Sequence, residues 1–298
     1  MKKSTQLRLL LNQKQALIVP GAHDVLSAKL IQKYGFKAVQ ASGFGLAATM
    51  LGLPDMAFLS FGEMLELTRN IAHAVDIPLM GDADTGFGNS INAMFVTRKY
   101  IEAGCAGMNI EDQAFPKRCG HLEGKTIIPT EEMVLKVKAC KDVRDSIDPD
   151  FVINARTDAI AVEGIDKTIE RGNAYIEAGA DMIFVEAPRT VDDIRRAVKE
   201  IHGLVSINFL DMLTGGKTPL LPLEEMRDIG VARISVPVGL LFSAVKGMTT
   251  YLEALSNGTS QGQTELVTPM ADYKELIGFN TFRELEKKYL PKFVDNNN

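Results

Sequence analysis

The sequence predicts a (β/α)8 barrel of the TIM type, followed by a C-terminal helical extension. Eight short apolar segments with strand character alternate with segments of helical periodicity, the pattern of successive βα units around a parallel sheet. The chain has 298 residues, which suits one barrel of about 250 residues with an addition. A doubly wound sheet is the weaker alternative, because no GxGxxG motif follows the first predicted strand.

The elements follow in regular order along the chain. The predicted strands are 16–20, 37–41, 77–81, 107–110, 151–154, 182–185, 204–208 and 231–236. The predicted helices are 27–34, 61–75, 91–103, 130–144, 165–178, 191–201 and 223–228. Glycines such as Gly104 and Gly179 stand just before strands, where they accept the left-handed geometry of a helix C-terminus.

Composition changes near the C-terminus and divides the chain. Residues 256–263 are rich in Gly, Ser, Thr and Gln, and a second helical region around 270–289 follows them. We therefore expect a catalytic barrel over residues 1–255 and a helical extension over 256–298. Helices added to a complete barrel need a surface to cover, and a neighbouring subunit would provide one.

Bulk properties exclude several classes of function. The net charge of −5 does not favour binding to nucleic acid, which is itself negatively charged. No apolar run approaches the roughly 18 residues of a membrane span. Three cysteines without a CxxC pair predict neither a disulfide framework nor a structural zinc site. We expect a cytoplasmic protein that binds neither nucleic acid nor membranes, with Cys105 and Cys140 buried and inert.

The most informative segment is Lys117-Arg118-Cys119-Gly120-His121, which puts a thiol among three basic side chains. The thiolate is the reactive form of cysteine, and nearby positive charge lowers the pKa of a thiol from about 8.5. Cys119 is therefore a candidate catalytic residue, with Lys117, Arg118 and His121 tuning the thiol and holding it in place. Gly120 and the following Gly124 could serve as hinges for a loop that closes over substrate.

Polar residues follow almost every predicted strand, at the end of a barrel where active sites are built. Asp82 and Asp84 are two residues apart, so on an extended backbone both carboxylates face one side and suit Mg²⁺ or Mn²⁺. The alternative is an acidic turn whose carboxylates bind loop amides. Arg156 suits a substrate carboxylate, or else a structural pair with Glu186 or Asp158.

Together these motifs resemble the isocitrate lyase/phosphoenolpyruvate mutase superfamily. The resemblance covers residues 21–248 and rests on ordered segments: Ser42-Gly43, Leu53-Pro54-Asp55, GDADTGFG (81–88), IEDQ (110–113), PKRCGH (116–121), NARTD (154–158), EAP (186–188) and KTP (217–219). It implies Mg²⁺, with Mn²⁺ as an alternative. It also implies a homotetramer, a dimer of dimers that exchange their last helices.

The resemblance also implies roles for individual residues. The implied metal site comprises Asp82, Asp84, Asp55 and Glu111, and the implied substrate site comprises Ser42, Gly43, Phe44, Arg156, Glu186, Asn208 and Pro237. The implied catalytic set is Cys119, Lys117, Arg118, His121 and again Glu111. Cys119 would protonate a carbanion formed by retro-aldol cleavage, and the general base stays unassigned.

The KxCGH loop is that of the carbon–carbon lyases in this superfamily. Methylisocitrate lyases usually read CGHRP and N-x-T-E-F-G, whereas Leu122 follows His121 here and Phe209 follows Asn208. These departures favour a small diacid, so the expected reaction is cleavage of 2,3-dimethylmalate to pyruvate and propionate. Cleavage of 2-methylisocitrate to pyruvate and succinate is the alternative, and Arg233 could favour it by pairing with a third carboxylate.

Two further alternatives stay open at this point. Pro237 stands where oxaloacetate hydrolases are expected to carry a serine. This difference makes oxaloacetate hydrolysis a weaker interpretation than carbon–carbon cleavage. A non-catalytic binding or regulatory barrel would need no intact thiol and carboxylates, and both are present.

Overall fold

A closed barrel of eight parallel strands forms the centre of the protein. The computed structural model describes residues 1–13, 15–120, 124–209 and 218–291. The strands pair in chain order, and β1 closes the barrel against β8. They are β1 Leu17–Ala22, β2 Val39–Ala41, β3 Leu79–Asp82, β4 Gly107–Glu111, β5 Val152–Thr157, β6 Met182–Val185, β7 Leu204–Asn208 and β8 Arg233–Val236. The predicted fold class is confirmed, and each strand lies within three residues of its predicted bounds.

Helices surround this barrel and continue beyond it. They are α1 Lys3–Leu11, α2 Val25–Lys33, α3 Gly43–Leu51, α4 Phe61–Ala74, α5 Ser90–Glu102, α6 Thr130–Ile147, α7 Ala159–Val162, α8 Ile165–Ala178, α9 Val191–Glu200, α10 Leu223–Ile229, α11 Gly239–Ser256, α12 Met270–Leu276 and α13 Phe279–Tyr289. All seven predicted barrel helices are confirmed, whereas α1, α3, α7 and α11 were not predicted. Gly278, with φ of 72°, divides the predicted region 270–289 into α12 and α13.

Helix α1 packs against the amino-terminal ends of the strands. Leu7 and Leu11 share a buried apolar cluster with Leu17, Met80 and other residues near the starts of the strands. Burying a leucine stabilises the fold by about 1.5–3 kcal/mol, so this contact fixes the helix firmly. The predicted site residues therefore lie at the opposite end, where the strands finish.

Arg233 places a charged side chain inside the barrel, away from the end at which the strands finish. Arg233 opens β8 and is fully buried, with Nη1 donating to Ser206 Oγ at 2.9 Å and Nη2 donating to Gln40 Oε1. Burial lowers the pKa of Arg233 to about 9, against the opposing charge of Asp82. The structure does not support the prediction that Arg233 could pair with a third substrate carboxylate. Arg233 begins its strand, whereas the candidate site lies where the strands end.

The chain divides into two compact units, residues 1–241 and 242–298. The second unit contains most of α11, a 3-10 turn at Thr264–Leu266, α12 and α13. None of residues 242–291 is buried, and apolar side chains such as Met248, Leu252 and Phe282 are more than half exposed. The domain limits of 1–255 and 256–298, and the exchange of helices, stay predictions. Across the described part of the chain, no helix combines the length and apolar character needed to cross a membrane.

Candidate active site

The end of β3 places two acidic residues at the mouth of the barrel. The strand finishes at Asp82, and Asp84 lies beyond it with φ of +46°, in the left-handed region that aspartate tolerates better than most residues. The extended backbone assumed in the sequence analysis is therefore wrong for Asp84. The turn is nevertheless well fixed, because Asp84 N donates to Asp82 Oδ1 at 3.3 Å and Glu111 N donates to the Asp84 carbonyl at 2.8 Å.

Lys117 lies among the predicted metal ligands. Its side chain is only 4% exposed, and Nζ is 2.7 Å from Asp55 Oδ1 and 2.8 Å from Asp84 Oδ1. Burial alone would lower the pKa of Lys117, but Asp84, Asp55 and Glu111 together raise it well above its usual value. Lys117 is thus a permanent cation that neutralises part of the acidic cluster.

One lysine does not balance the negative charge around it. Burial raises the pKa of Asp84 to about 7 despite Lys117, and the charges of Asp82 and Asp55 add to the rise. Burial likewise raises the pKa of Glu111, with Arg156 and Lys117 opposing. The protein therefore holds these carboxyl groups where ionising all of them is unfavourable without another cation.

This donor set fits a hard divalent cation. Glu111 Oε1 is buried without a hydrogen-bond partner among the described residues, so an acidic oxygen is left over. Within that same part of the chain, no three His, Cys, Asp or Glu side chains converge tightly enough to enclose an ion by themselves. Mg²⁺ needs no such cage, since it is commonly held by one or two carboxylates and completes its shell with water and substrate.

A second charged cluster surrounds Arg156 at the end of β5. Its Nε lies 2.9 Å from Asp158 Oδ2 and 3.2 Å from Glu111 Oε2, while Nη1 lies 3.3 Å from Glu186 Oε2. Asn208 Nδ2 donates to the same Glu186 oxygen at 3.3 Å. The structural pairing of Arg156 with Glu186 and Asp158 is therefore present, and Glu186 orients both Arg156 and Asn208.

The first turn of α3 borders the acidic cluster from the other side. Ser42 caps the helix through Oγ, and the Gly43 amide donates to Asp82 Oδ2 at 3.2 Å. A Cβ atom at Gly43 would lie 2.6 Å from that oxygen, so a larger residue here would displace the Asp82 carboxylate. Phe44 follows in the same turn, partly buried. Pro237 lies directly after β8, with its carbonyl packed against Gly21 of β1.

The Cys119 loop lies between the two charged clusters. The Cys119 amide donates to the Asp55 carbonyl at 3.2 Å, and the thiol belongs to a partly exposed residue. A Cβ atom at Gly120 would overlap the Glu186 carboxyl group, so this glycine lets the loop approach Glu186. Cys119 and Gly120 therefore lie between the two charged clusters. Cys119 contacts Asp55 in the acidic cluster, and Gly120 contacts Glu186 in the cluster around Arg156.

The other loop predictions have mixed outcomes. The Arg118 side chain is exposed, and its backbone exchanges two hydrogen bonds with the Gln113 amide at 3.0 and 2.8 Å. Cys105 and Cys140 are buried as predicted, which raises the pKa of their thiols to about 12 and about 11. His121, Leu122, Leu210, Met212 and Lys217 lie outside the described residues.

From the sequence, Lys125 was assigned no role, and Asp112 was placed at a strand end without a role of its own. Lys125 has a side chain that is 2% exposed, and its Nζ lies 2.9 Å from Asp158 Oδ1. Asp112 accepts hydrogen bonds from Tyr175 Oη and the Asp158 amide, both at 2.9 Å, and burial raises its pKa to about 6. Asp112 adjoins Glu111 in the motif, which was the available signal. Nothing local in the sequence marks Lys125.

Comparisons with known proteins agree on the family. Residues 7–256 match the family described as phosphoenolpyruvate phosphomutase. A 2,3-dimethylmalate lyase from Eubacterium barkeri is 41% identical over 97% of this chain and 99% of the relative. A 2-methylisocitrate lyase from Bacillus subtilis (strain 168) is 37% identical over 95% of this chain and 91% of the relative. A crystal structure of 2,3-dimethylmalate lyase, titled as a PEP mutase/isocitrate lyase superfamily member, aligns with a TM-score of 0.90 and 29% identity, covering 100% of this chain and 99% of that one.

Proposed function

Since this chain is an enzyme of the phosphoenolpyruvate mutase/isocitrate lyase superfamily, we propose that it is a Mg²⁺-dependent carbon–carbon lyase acting on 2,3-dimethylmalate. The observation that carries this proposal is the position of Cys119, whose amide contacts Asp55 of one charged cluster while Gly120 touches Glu186 of the other. A substrate bridging those clusters would have its central carbon–carbon bond beside the thiol.

The reaction needs a cation at one end of the substrate. Asp82 and Asp84, with Asp55 and Glu111, would hold Mg²⁺, which would bind the hydroxyl and adjoining carboxylate and make that hydroxyl more acidic. The excess acidic oxygens described above support this assignment. Lys117 contacts both Asp55 and Asp84, and its positive charge reduces the repulsion between these two carboxyl groups.

Cleavage breaks the bond between C2 and C3 of the hydroxy acid. The hydroxyl loses its proton to a base, C2 becomes the carbonyl carbon of pyruvate, and the electron pair passes to C3 and its carboxylate. Arg156 and Asn208 supply the donors for the resulting aci-carboxylate, and Glu186 holds both donors in position. Stabilising charge where it develops is commonly the largest catalytic effect.

The carbanion at C3 then requires an acid. We assign this role to the Cys119 thiol, which transfers its proton to C3 and yields propionate. Cys119 is the one partly exposed cysteine of the three in the chain, whereas Cys105 and Cys140 are buried away from solvent. After product release, the thiolate of Cys119 is reprotonated from solvent.

The preference for a diacid rests on what surrounds Arg156 and on Arg233. Arg156 already faces three carboxylates, so its single positive charge leaves no surplus for a third substrate carboxylate. Arg233 is bound to Ser206 and Gln40 at the start of β8. The relative named 2-methylisocitrate lyase makes cleavage of that tricarboxylate the second candidate.

A panel of hydroxy acids tests this proposal. Purified enzyme and Mg²⁺ would be tested with EDTA as the control, following pyruvate from 2,3-dimethylmalate and 2-methylisocitrate, glyoxylate from isocitrate, and oxalate from the oxo acid oxaloacetate. We expect kcat/KM for dimethylmalate to exceed that for methylisocitrate about a hundredfold, the scale set by one stranded buried charge. Equal values or the reverse order would move the assignment to methylisocitrate lyase, and no turnover on any substrate would favour a binding protein.

We also propose that the C-terminal unit contacts a neighbouring subunit in a homotetramer. Its exposed apolar side chains support this: Met248, Leu252, Met270, Phe282 and Leu290 are each more than half exposed. Apolar side chains exposed in such number are typical of a surface that a partner covers.

A further inference from the structure

Lys125 lies eight residues after Lys117 in the sequence, and its side chain is buried. The ammonium donates to the Gly120 carbonyl at 2.5 Å and to Asp158 Oδ1 at 2.9 Å. The lysine side chain is 2% exposed and the aspartate side chain is fully buried. Surface ion pairs contribute little, but a buried pair of this kind is strongly held because leaving either charge alone is costly.

Asp158 is a rigid anchor for this contact. It accepts two hydrogen bonds from the Arg156 guanidinium, at 2.9 and 3.2 Å, and its own amide donates to Asp112 at 2.9 Å. Burial alone would raise the pKa of Asp158, but Arg156 and Lys125 lower it to about 2. The carboxylate therefore stays charged across the working pH range.

The other end of the contact is the peptide beside the thiol. On the amino-terminal side, the Gln113 amide holds Arg118, and the Cys119 amide donates to Asp55. On the carboxyl-terminal side, Gly120 packs against Glu186, and its carbonyl accepts a hydrogen bond from Lys125. Lys125 therefore connects the peptide beside the thiol to the anchor that also positions Arg156.

We propose that Lys125 is the positioning residue that holds Cys119 and Gly120 in place against the Arg156 cluster, by joining the Gly120 carbonyl to Asp158. This inference rests on the proposed role of Cys119. It assigns Lys125 no contact with substrate. Its effect is on where the thiol stands, and reaction rates are sensitive to displacements as small as about 1 Å.

The test combines turnover with the reactivity of the thiol. Lys125→Met would be compared with wild type in the rate of Cys119 alkylation by iodoacetamide, with Cys119→Ser protein giving the background from Cys105 and Cys140. We expect Cys119 to be alkylated about tenfold faster in Lys125→Met. Losing one charge-assisted hydrogen bond should raise the fraction of molecules with an accessible thiol by about that factor. We expect kcat to fall about a hundredfold with KM little changed, because the donor is misplaced while the substrate contacts remain.

Two variants separate positioning from stability. Lys3→Met is the matched control, because Lys3 likewise joins two acceptors, in its case the backbone carbonyls of Ala72 and Val75, on α4 and just beyond it. It should lower the melting temperature without changing alkylation or kcat. Lys125→Arg keeps the charge and should restore much of both. If Lys125→Met does not fold, Lys125→Gln replaces it, since its shorter amide cannot reach both acceptors.

An unchanged alkylation rate in folded Lys125→Met or Lys125→Gln would overturn the proposal. Faster alkylation with unchanged kcat would also overturn it, provided that Cys119→Ser is inactive. Failure of the proposed function looks different. If Cys119 is not the acid, Cys119→Ser keeps its activity, while removing Lys125 still exposes the thiol to iodoacetamide.

Discussion

Replacing Lys117 with methionine would test whether the acidic cluster depends on a built-in cation. The ammonium is almost completely buried between Asp55 and Asp84, at 2.7 and 2.8 Å. Methionine keeps much of the volume and removes the charge. Breaking a buried ion pair by removing one partner costs about 3–5 kcal/mol, because the carboxylates left behind stay desolvated.

The expected loss is large enough to see in thermal melting. At roughly 2–4 °C per kcal/mol for a chain of this size, 3–5 kcal/mol lowers the melting temperature of the EDTA-treated variant by about 6–20 °C. Adding Mg²⁺ should recover part of the loss, since a ligand that binds only the folded state stabilises it. The recovery should exceed the stabilisation that Mg²⁺ gives to wild type, because the cluster has lost one positive charge.

A matched control is available on α6. Lys141 forms an ion pair with Asp145 at 2.6 Å, but both side chains are more than 40% exposed. Lys141→Met should therefore change stability by less than about 1 kcal/mol, with no response to Mg²⁺ beyond that of wild type. If Lys117→Met melts within about 2 °C of wild type in EDTA, the reasoning about a desolvated cluster fails.

Three further predictions follow from the site and the C-terminal unit. Cys119→Ser should lower kcat about 10²–10⁴-fold while pyruvate binding, followed by calorimetry, stays near wild type, and more than a tenth of wild-type turnover would refute the acid role. Burial raises the pKa of Asp84 from 3.8 to about 7, so in EDTA the wild type should lose stability as pH rises from 4 through 7. Asp84→Asn should lack that loss, which is on the order of 4 kcal/mol, and parallel pH profiles in chemical denaturation would contradict it. A chain ending before Val267 should aggregate or fail to assemble in sedimentation, and an unchanged oligomer with unchanged melting would refute subunit contact.

The sequence predicted the strands well because of how parallel barrels bury them. Strands covered on both faces are continuous apolar runs, and β6 and β7 were predicted to the residue. The helices that were missed lack such a signal. Helix α3 reads GFGLAATML, in which two glycines argue against a helix, yet Ser42 caps it and Gly43 is needed beside Asp82. Tertiary packing overrides local preference at this position.

Sequence patterns predicted which residues belong to the site, but they did not predict which of them contact one another. Active sites of such barrels lie at the ends of the strands, and this rule predicted that Asp82, Glu111, Arg156 and Glu186 lie close together. The structure places these four residues at the ends of neighbouring strands. The rule cannot say which charges pair. Lys117 stands two residues from Cys119 in sequence, but its ammonium lies between carboxylates 62 and 33 residues away. Such pairing depends on how the barrel closes, which no local pattern encodes.

The position of α1 has a consequence for how the chain is made. Its polar anchors Asp148, Asp150 and Asp181 follow their partners on the helix by 144, 145 and 173 residues. At ribosomal speeds of about 5–20 residues per second, they are synthesised roughly 7–35 s after the helix itself. Helix α1 is thus synthesised well before its anchors and is among the last segments to find its place. Leu7 and Leu11 spend that interval without their final contacts, so protection of this helix by a chaperone during synthesis would raise the yield of folded protein.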